Sequence, residues 1–102
     1  MLINLLHKKW RIVVRSDKVH NEKFPDTHAV AVLDDRKIYI RKSSVTLETV
    51  AHELVHALTY ELSFTELQLD DDQIEEFFCE MFAKYGRSLL QIADSVVKHY
   101  KK

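Results

Sequence analysis

The chain of 102 residues has one cysteine, one proline and one glycine. A lone Cys79 excludes an internal disulfide and any cysteine-rich zinc site, and it fits a reducing compartment. With Gly86 and Pro25 standing alone, there is no glycine-rich phosphate loop and no flexible linker. No apolar run approaches the roughly 20 residues of a membrane span. The apolar start, Met1 to Leu6, is short and its basic residues follow it, which argues against a signal peptide and makes the cytoplasm the expected compartment. An excess of one charge is also missing. The formal net charge of −1 supplies no electrostatic footprint for nucleic acid or an anionic membrane. The weakly basic end, His99-Tyr100-Lys101-Lys102, reads as a solvated tail. Internal repeats and low-complexity stretches are absent too. The length suggests one domain, residues 1–102, able to bury about two thirds of its surface around a modest core.

What is present divides into a strand-rich first half and a helical second half. Residues 1–8 carry a weak signal for a short helix or a frayed lead-in. Trp10 to Arg15 alternates, with Trp10, Ile12 and Val14 on one side, and predicts a half-buried strand. Ser16 to Asp26 is polar, contains Pro25 and reads as a loop. His28 to Leu33 and Ile38 to Arg41, separated by Asp34-Asp35-Arg36-Lys37, predict a β-hairpin. A small, mostly antiparallel sheet of about three strands follows, which needs a helix to cover its apolar face.

That helix is predicted from Leu47 to about Leu62, with Ser43, Ser44 or Thr46 as N-cap. Leu47, Ala51, Leu54, Val55, Leu58 and Leu62 gather in one apolar stripe. Ser63 to Asp72 reads as a connection. Its Asp70-Asp71-Asp72 suits a helix start favoured by the macrodipole, whereas a calcium loop would need ligands spread over about twelve positions and a central glycine. A helix from about Asp72 to Tyr85 would bury Ile74, Phe77, Phe78, Met81, Phe82 and Tyr85. Gly86 suggests a C-cap or a kink. Ser88-Leu89-Leu90-Gln91 resembles a capping box for a last helix with Leu89, Ile92, Ala93, Val96, Val97 and Tyr100 on its apolar face. The fold class is therefore α+β.

Within the Leu47 helix, His52-Glu53-Leu54-Val55-His56 forms an H-E-x-x-H sequence. His52 and His56 lie one turn apart on one face, roughly opposite the apolar stripe, and can share a zinc ion. Glu53 lies about 100° round the helix, placed to act on water beside the metal. Two ligands and one general base make the pattern of a metal-assisted hydrolase. Catalytic zinc sites usually take three protein ligands. Glu75, Glu76 and Glu80, or His20, His28 and His99, are candidates for the third. Glu76 and Glu80 share a face, so one could bind the metal while the other accepts a histidine ring N–H. Glu76 lies nearly opposite the apolar stripe of its helix, and Glu75 lies at the boundary.

His52-Glu53-Leu54-Val55-His56-Ala57-Leu58 resembles the active-site helix of the zincin metallopeptidases. The metzincin branch continues with a glycine and a third histidine, where this chain has Thr59 and Leu62. The gluzincin branch takes a downstream glutamate in a Glu-x-x-small-acid pattern, and Glu76-Phe77-Phe78-Cys79-Glu80 is similar to it. The chain also looks like the small ImmA/IrrE-type peptidases and the compact zincin-like proteins of phages and mobile elements, from the hairpin through the Glu76 helix. This resemblance implies a minimal zincin-like domain with a Zn2+ cofactor. It implies Glu76 as third ligand, Glu80 as partner of a ligand histidine and Glu53 as general base. It further implies a protein or peptide substrate extended along an edge strand drawn from residues 28–42. Larger gluzincins add a second domain that forms the cleft, which this chain lacks, and a downstream histidine or tyrosine for the oxyanion. Tyr60, Tyr85, His99 and Tyr100 are candidates for that last role. The competing expectation is a zinc-binding interaction or regulatory module with negligible turnover.

Overall fold

The computed structural model describes residues 1–63 and 68–101. The α+β expectation holds, with a four-stranded N-terminal sheet followed by long helices. Strands β1 (Leu2–Leu5), β2 (Lys8–Arg15), β3 (Ala29–Val32) and β4 (Lys37–Arg41) lie in the order β1-β2-β4-β3. The two outer pairs are antiparallel and the central β2–β4 pair is parallel.

The expected lead-in at residues 1–8 is instead the edge strand β1, hairpinned onto β2. Its alternation covers only four residues, with Ile3 and Leu5 buried. Its turn uses Leu6 and His7 at φ 50° and 65°, a left-handed conformation that glycine or asparagine would normally advertise. The expected loop from Ser16 to Asp26 contains α1 (Asp17–Lys23), whose first turn is capped by the Ser16 hydroxyl accepting from the Val19 N–H at 3.3 Å. Two turns burying only His20 leave no readable period. This helix lies in the connection that makes β2 and β4 parallel. It covers the second face of the sheet, where Phe24 packs between His20 and Tyr39.

The first face carries Trp10 and Ile12 of β2 and Ile38 and Ile40 of β4, all fully buried. Helix α2 (Leu47–Glu61) packs on it through Val50, Leu54, Ala57 and Leu58. Of the three expected caps, Thr46 serves, its hydroxyl accepting from the Thr49 N–H at 3.2 Å. The buried face is turned slightly from the expected stripe: Val50, Glu53 and Ala57 lie inside, while Leu47 is exposed. At the far end of α2, Glu61 accepts from the Trp10 indole N–H at 3.0 Å and from Arg36 Nε at 2.6 Å. These bonds tie the helix to β2 and to the β3–β4 turn.

Of the connection expected from Ser63 to Asp72, residues 64–67 lie outside the described residues, as does Lys102 of the C-terminal tail. A single helix, α3 (Asp71–Tyr100), then replaces the two expected. It opens with a reciprocal capping box between Asp70 and Gln73 and runs straight through Gly86 and Ser88. The apolar faces of the two expected segments are continuous in phase, so nothing forces a break. Leu89, Ala93 and Val96 are buried as expected, and Met81 with them. Phe78 and Phe82 are exposed. The end of α3 returns to the sheet, where the Tyr100 hydroxyl donates to the Ile12 carbonyl at 3.2 Å. Among the described residues, no helix is long and apolar enough to cross a membrane.

Candidate functional site

Helix α2 holds both histidines on its open face and turns Glu53 inward. His52 and His56 are exposed, with ring centroids 4.9 Å apart and Nε2 atoms 3.3 Å apart. Two nitrogens bound to one tetrahedral zinc at about 2.0–2.1 Å would themselves be separated by about 3.3–3.4 Å. The pair therefore has the spacing of a chelate, and imidazole nitrogen is a suitable donor for zinc.

Glu53 is only 7% exposed. Burial pushes its carboxyl up from the ordinary value, while His56, His52 and a hydrogen bond from the Ala31 backbone N–H act in the opposite direction. The outward direction of the Ala31 N–H follows from the sheet register. Val30 pairs with Tyr39, and Arg41 N–H donates to the His28 carbonyl. Bonded and non-bonded positions alternate along an antiparallel pair, so Ala29 and Ala31 direct their backbone groups away from β4, toward the open edge. Their small side chains pack against the core and let α2 approach closely. The outward Ala31 N–H lies close enough to the Glu53 carboxylate to lower its pKa. The backbone groups of Ala29 and the Ala31 carbonyl remain at the edge.

Two cavities meet at His52. The first, about 360 Å³, is lined by Thr27, His28, Ala29, Thr49, Glu48 and Glu53 together with His52. The second, about 320 Å³, runs between α2 and α3 and is mostly apolar, with Ala51, Val55, Met81 and Leu89 among its walls. Glu48 and His52 border it as well.

The other expected site residues are dispersed. Glu75, Glu76 and Glu80 are exposed on the first third of α3, and none lines either cavity beside His52. Among the described residues, no group of three His, Cys, Asp or Glu side chains stands close enough to hold a metal. His20 is buried on the far face of the sheet, sharing a 2.9 Å hydrogen bond with Thr27 Oγ1. His99 is exposed near the end of α3, its ring against Tyr100. The Tyr60 hydroxyl donates to Asp34 at 3.3 Å, Tyr85 lines a separate apolar cavity near Leu6, and Tyr100 is bonded to the N-terminus and to Ile12. None of His20, Tyr60, Tyr85, His99 and Tyr100 lines the cavity beside Glu53.

His28 does line it. Its Nδ1 shares a 3.0 Å hydrogen bond with the hydroxyl of Ser44, a residue that is itself buried. The sequence signals missed at this site were Ala29 and Ala31, two small residues at strand spacing in a valine-rich stretch, which mark a helix packed close to an edge strand. No family model, no curated protein and no solved structure matches the chain.

Proposed function

We propose that the chain is a zinc-dependent peptidase in which His52 and His56 supply two nitrogen donors and Glu53 is the general base. The observation that carries this reading is the 3.3 Å separation of the two Nε2 atoms, with the buried Glu53 carboxylate on the same helix and an open strand edge beside it. Glu76 is the proposed third donor, on the resemblance of residues 76–80 to the gluzincin pattern, with Glu75 and Glu80 as alternatives. The cytoplasm is the proposed compartment, in keeping with the single cysteine.

When bound, zinc polarises a carbonyl and makes water acidic enough to attack near neutral pH. Glu53 takes the proton of the attacking water and passes it to the leaving amine. The outward backbone groups of Ala29, without a partner among the described residues, pair with an extended peptide, a contact that gives affinity with little sequence selectivity. The Ala31 backbone of the same strand acts on the Glu53 carboxylate, so base and bound backbone would lie side by side.

Metal content per chain, measured after purification without chelators, tests the site. One zinc in the wild type, lost in His52→Ala and His56→Ala, is expected. Loss in Glu76→Ala and retention in Glu75→Ala and Glu80→Ala would identify the third donor. Glu53→Gln should keep the zinc and lose peptide cleavage. Cleavage that survives in Glu53→Gln would sink the mechanism. A second reading, a zinc-binding module without turnover, is favoured by the lack of a gathered three-donor group among the described residues. It predicts zinc binding, no cleavage by the wild type and unaltered behaviour of Glu53→Gln.

A further inference from the structure

His28 stands at the entrance to strand β3, immediately before Ala29, whose backbone groups face the open edge. It shares the 360 Å³ cavity with His52 and Glu53. Its ring is not free to turn, because Nδ1 is committed to Ser44 Oγ at 3.0 Å and Ser44 is buried in the 3-10 turn Lys42–Ser44. Nε2, on the opposite edge of the ring, has no hydrogen-bond partner among the described residues. It is also not gathered with His52 and His56 into a metal-holding group. A polar ring held rigid by a buried hydroxyl, beside a free strand edge and across a cavity from the candidate base, suits contact with a bound chain better than ligation.

We propose that His28 is a substrate-binding residue of this site, hydrogen-bonding through Nε2 to the backbone of an extended peptide laid along β3, with Ser44 as its positioning residue. The role rests on the peptidase reading and deepens it: the substrate class is an extended peptide recognised through its backbone, and the two ends of the recognition are Ala29 and His28. With the Ser44 hydroxyl donating to Nδ1, the imidazole carries its proton on Nε2 and donates to a peptide carbonyl; with Nδ1 donating to Ser44, Nε2 accepts from a peptide N–H. No bond is made or broken by His28 in this role.

The test uses the full chain, zinc content and a mixed library of fluorophore–quencher peptides. His28→Ala should retain the zinc of the wild type and lose cleavage rate at low substrate by about tenfold or more, the scale of one hydrogen bond lost to a bound ligand. His28→Gln, which keeps a donor, should recover part of the rate. Ser44→Ala should lower the rate less than His28→Ala, and the double variant should be no slower than His28→Ala alone, because Ser44 acts only through the ring. A merely structural Ser44 would instead give additive losses. Full cleavage by His28→Ala overturns the proposal, as does loss of its zinc, which would make His28 a ligand. A wild type that holds zinc and cuts no library member overturns the peptidase reading and this role with it, whereas failure of the His28 variants alone to slow cleavage leaves the peptidase standing.

Discussion

His20 shows what a single buried side chain demands. It is 1% exposed, its Nε2 is occupied by Thr27, and its Nδ1 is buried with no partner among the described residues. Burial, with the nearby Arg41 guanidinium, holds its pKa below the ordinary value. The unfolded chain therefore takes up this proton first. The stability that neutral His20 contributes is complete above the unfolded pKa of about 6.5 and is lost as pH falls through the lower folded value. Thermal unfolding from pH 7.5 down to pH 5 should show a falling Tm, and His20→Gln should flatten that fall. An unchanged slope in the variant would assign the acid sensitivity to other groups. Nothing in the sequence marked His20 for the interior, since it sits in a polar stretch. Its burial depends on α1 folding over Tyr39, a contact between segments far apart in the chain.

Elements are fixed by what closes their ends. Glu61 sits at the C-terminal end of α2, where the helix dipole disfavours a negative charge. Burial would push its carboxyl up, but the hydrogen bonds from Arg36 and Trp10 overcome that and hold it below the ordinary value. Glu61→Ala would leave the Trp10 indole N–H unpaired in the core, at a cost of about 1–3 kcal/mol, and a urea titration should show it as an earlier midpoint. Gly86 is a different case. A Cβ at this position would stand 3.3 Å from the ring of Phe82, but that ring is 71% exposed and can give way. The helix-forming advantage of alanine then wins, so Gly86→Ala should raise stability by up to about 1 kcal/mol. A lower Tm would mean that the Phe82 ring is held in place. The same glycine explains why the sequence read as two helices: a lone glycine and a serine-led capping pattern are local punctuation, whereas the continuity of α3 comes from Met81 and Leu89 packing on one side of the same core. Helix α2 was legible almost to the residue, because its cap, period and length agree. Strand β1 was not, because four residues and a left-handed Leu6–His7 turn leave no local signal.

The described residues measure 41 × 25 × 21 Å, and the 30-residue α3 is the longest element among them. The H-E-x-x-H pair could be read in full from the sequence, since helical spacing alone brings His52 and His56 together. The rest of the site could not, because His28, Ala29 and Ser44 reach it through the sheet order, which places β3 at the edge. If zinc binds the native chain and not the unfolded one, free zinc at 100 times its dissociation constant should stabilise the fold by about 2.7 kcal/mol. A thermal scan should therefore show a Tm that rises with zinc in the wild type and stays level in a His52→Ala, His56→Ala double variant. A rise of equal size in that double variant would move the metal elsewhere.

The nearness of the Glu53 carboxylate to the outward Ala31 N–H has a consequence for solution behaviour. An exposed strand edge invites a second chain to add itself to the sheet, and proteins guard such edges with inward-pointing charges. Here the Glu53 carboxylate lies where the outward backbone of Ala31 acts on it, a negative charge beside the edge of β3. Glu53→Ala is therefore expected to self-associate more than the wild type, which sedimentation at rising protein concentration would show, and equal behaviour of the two would leave Glu53 no part in it.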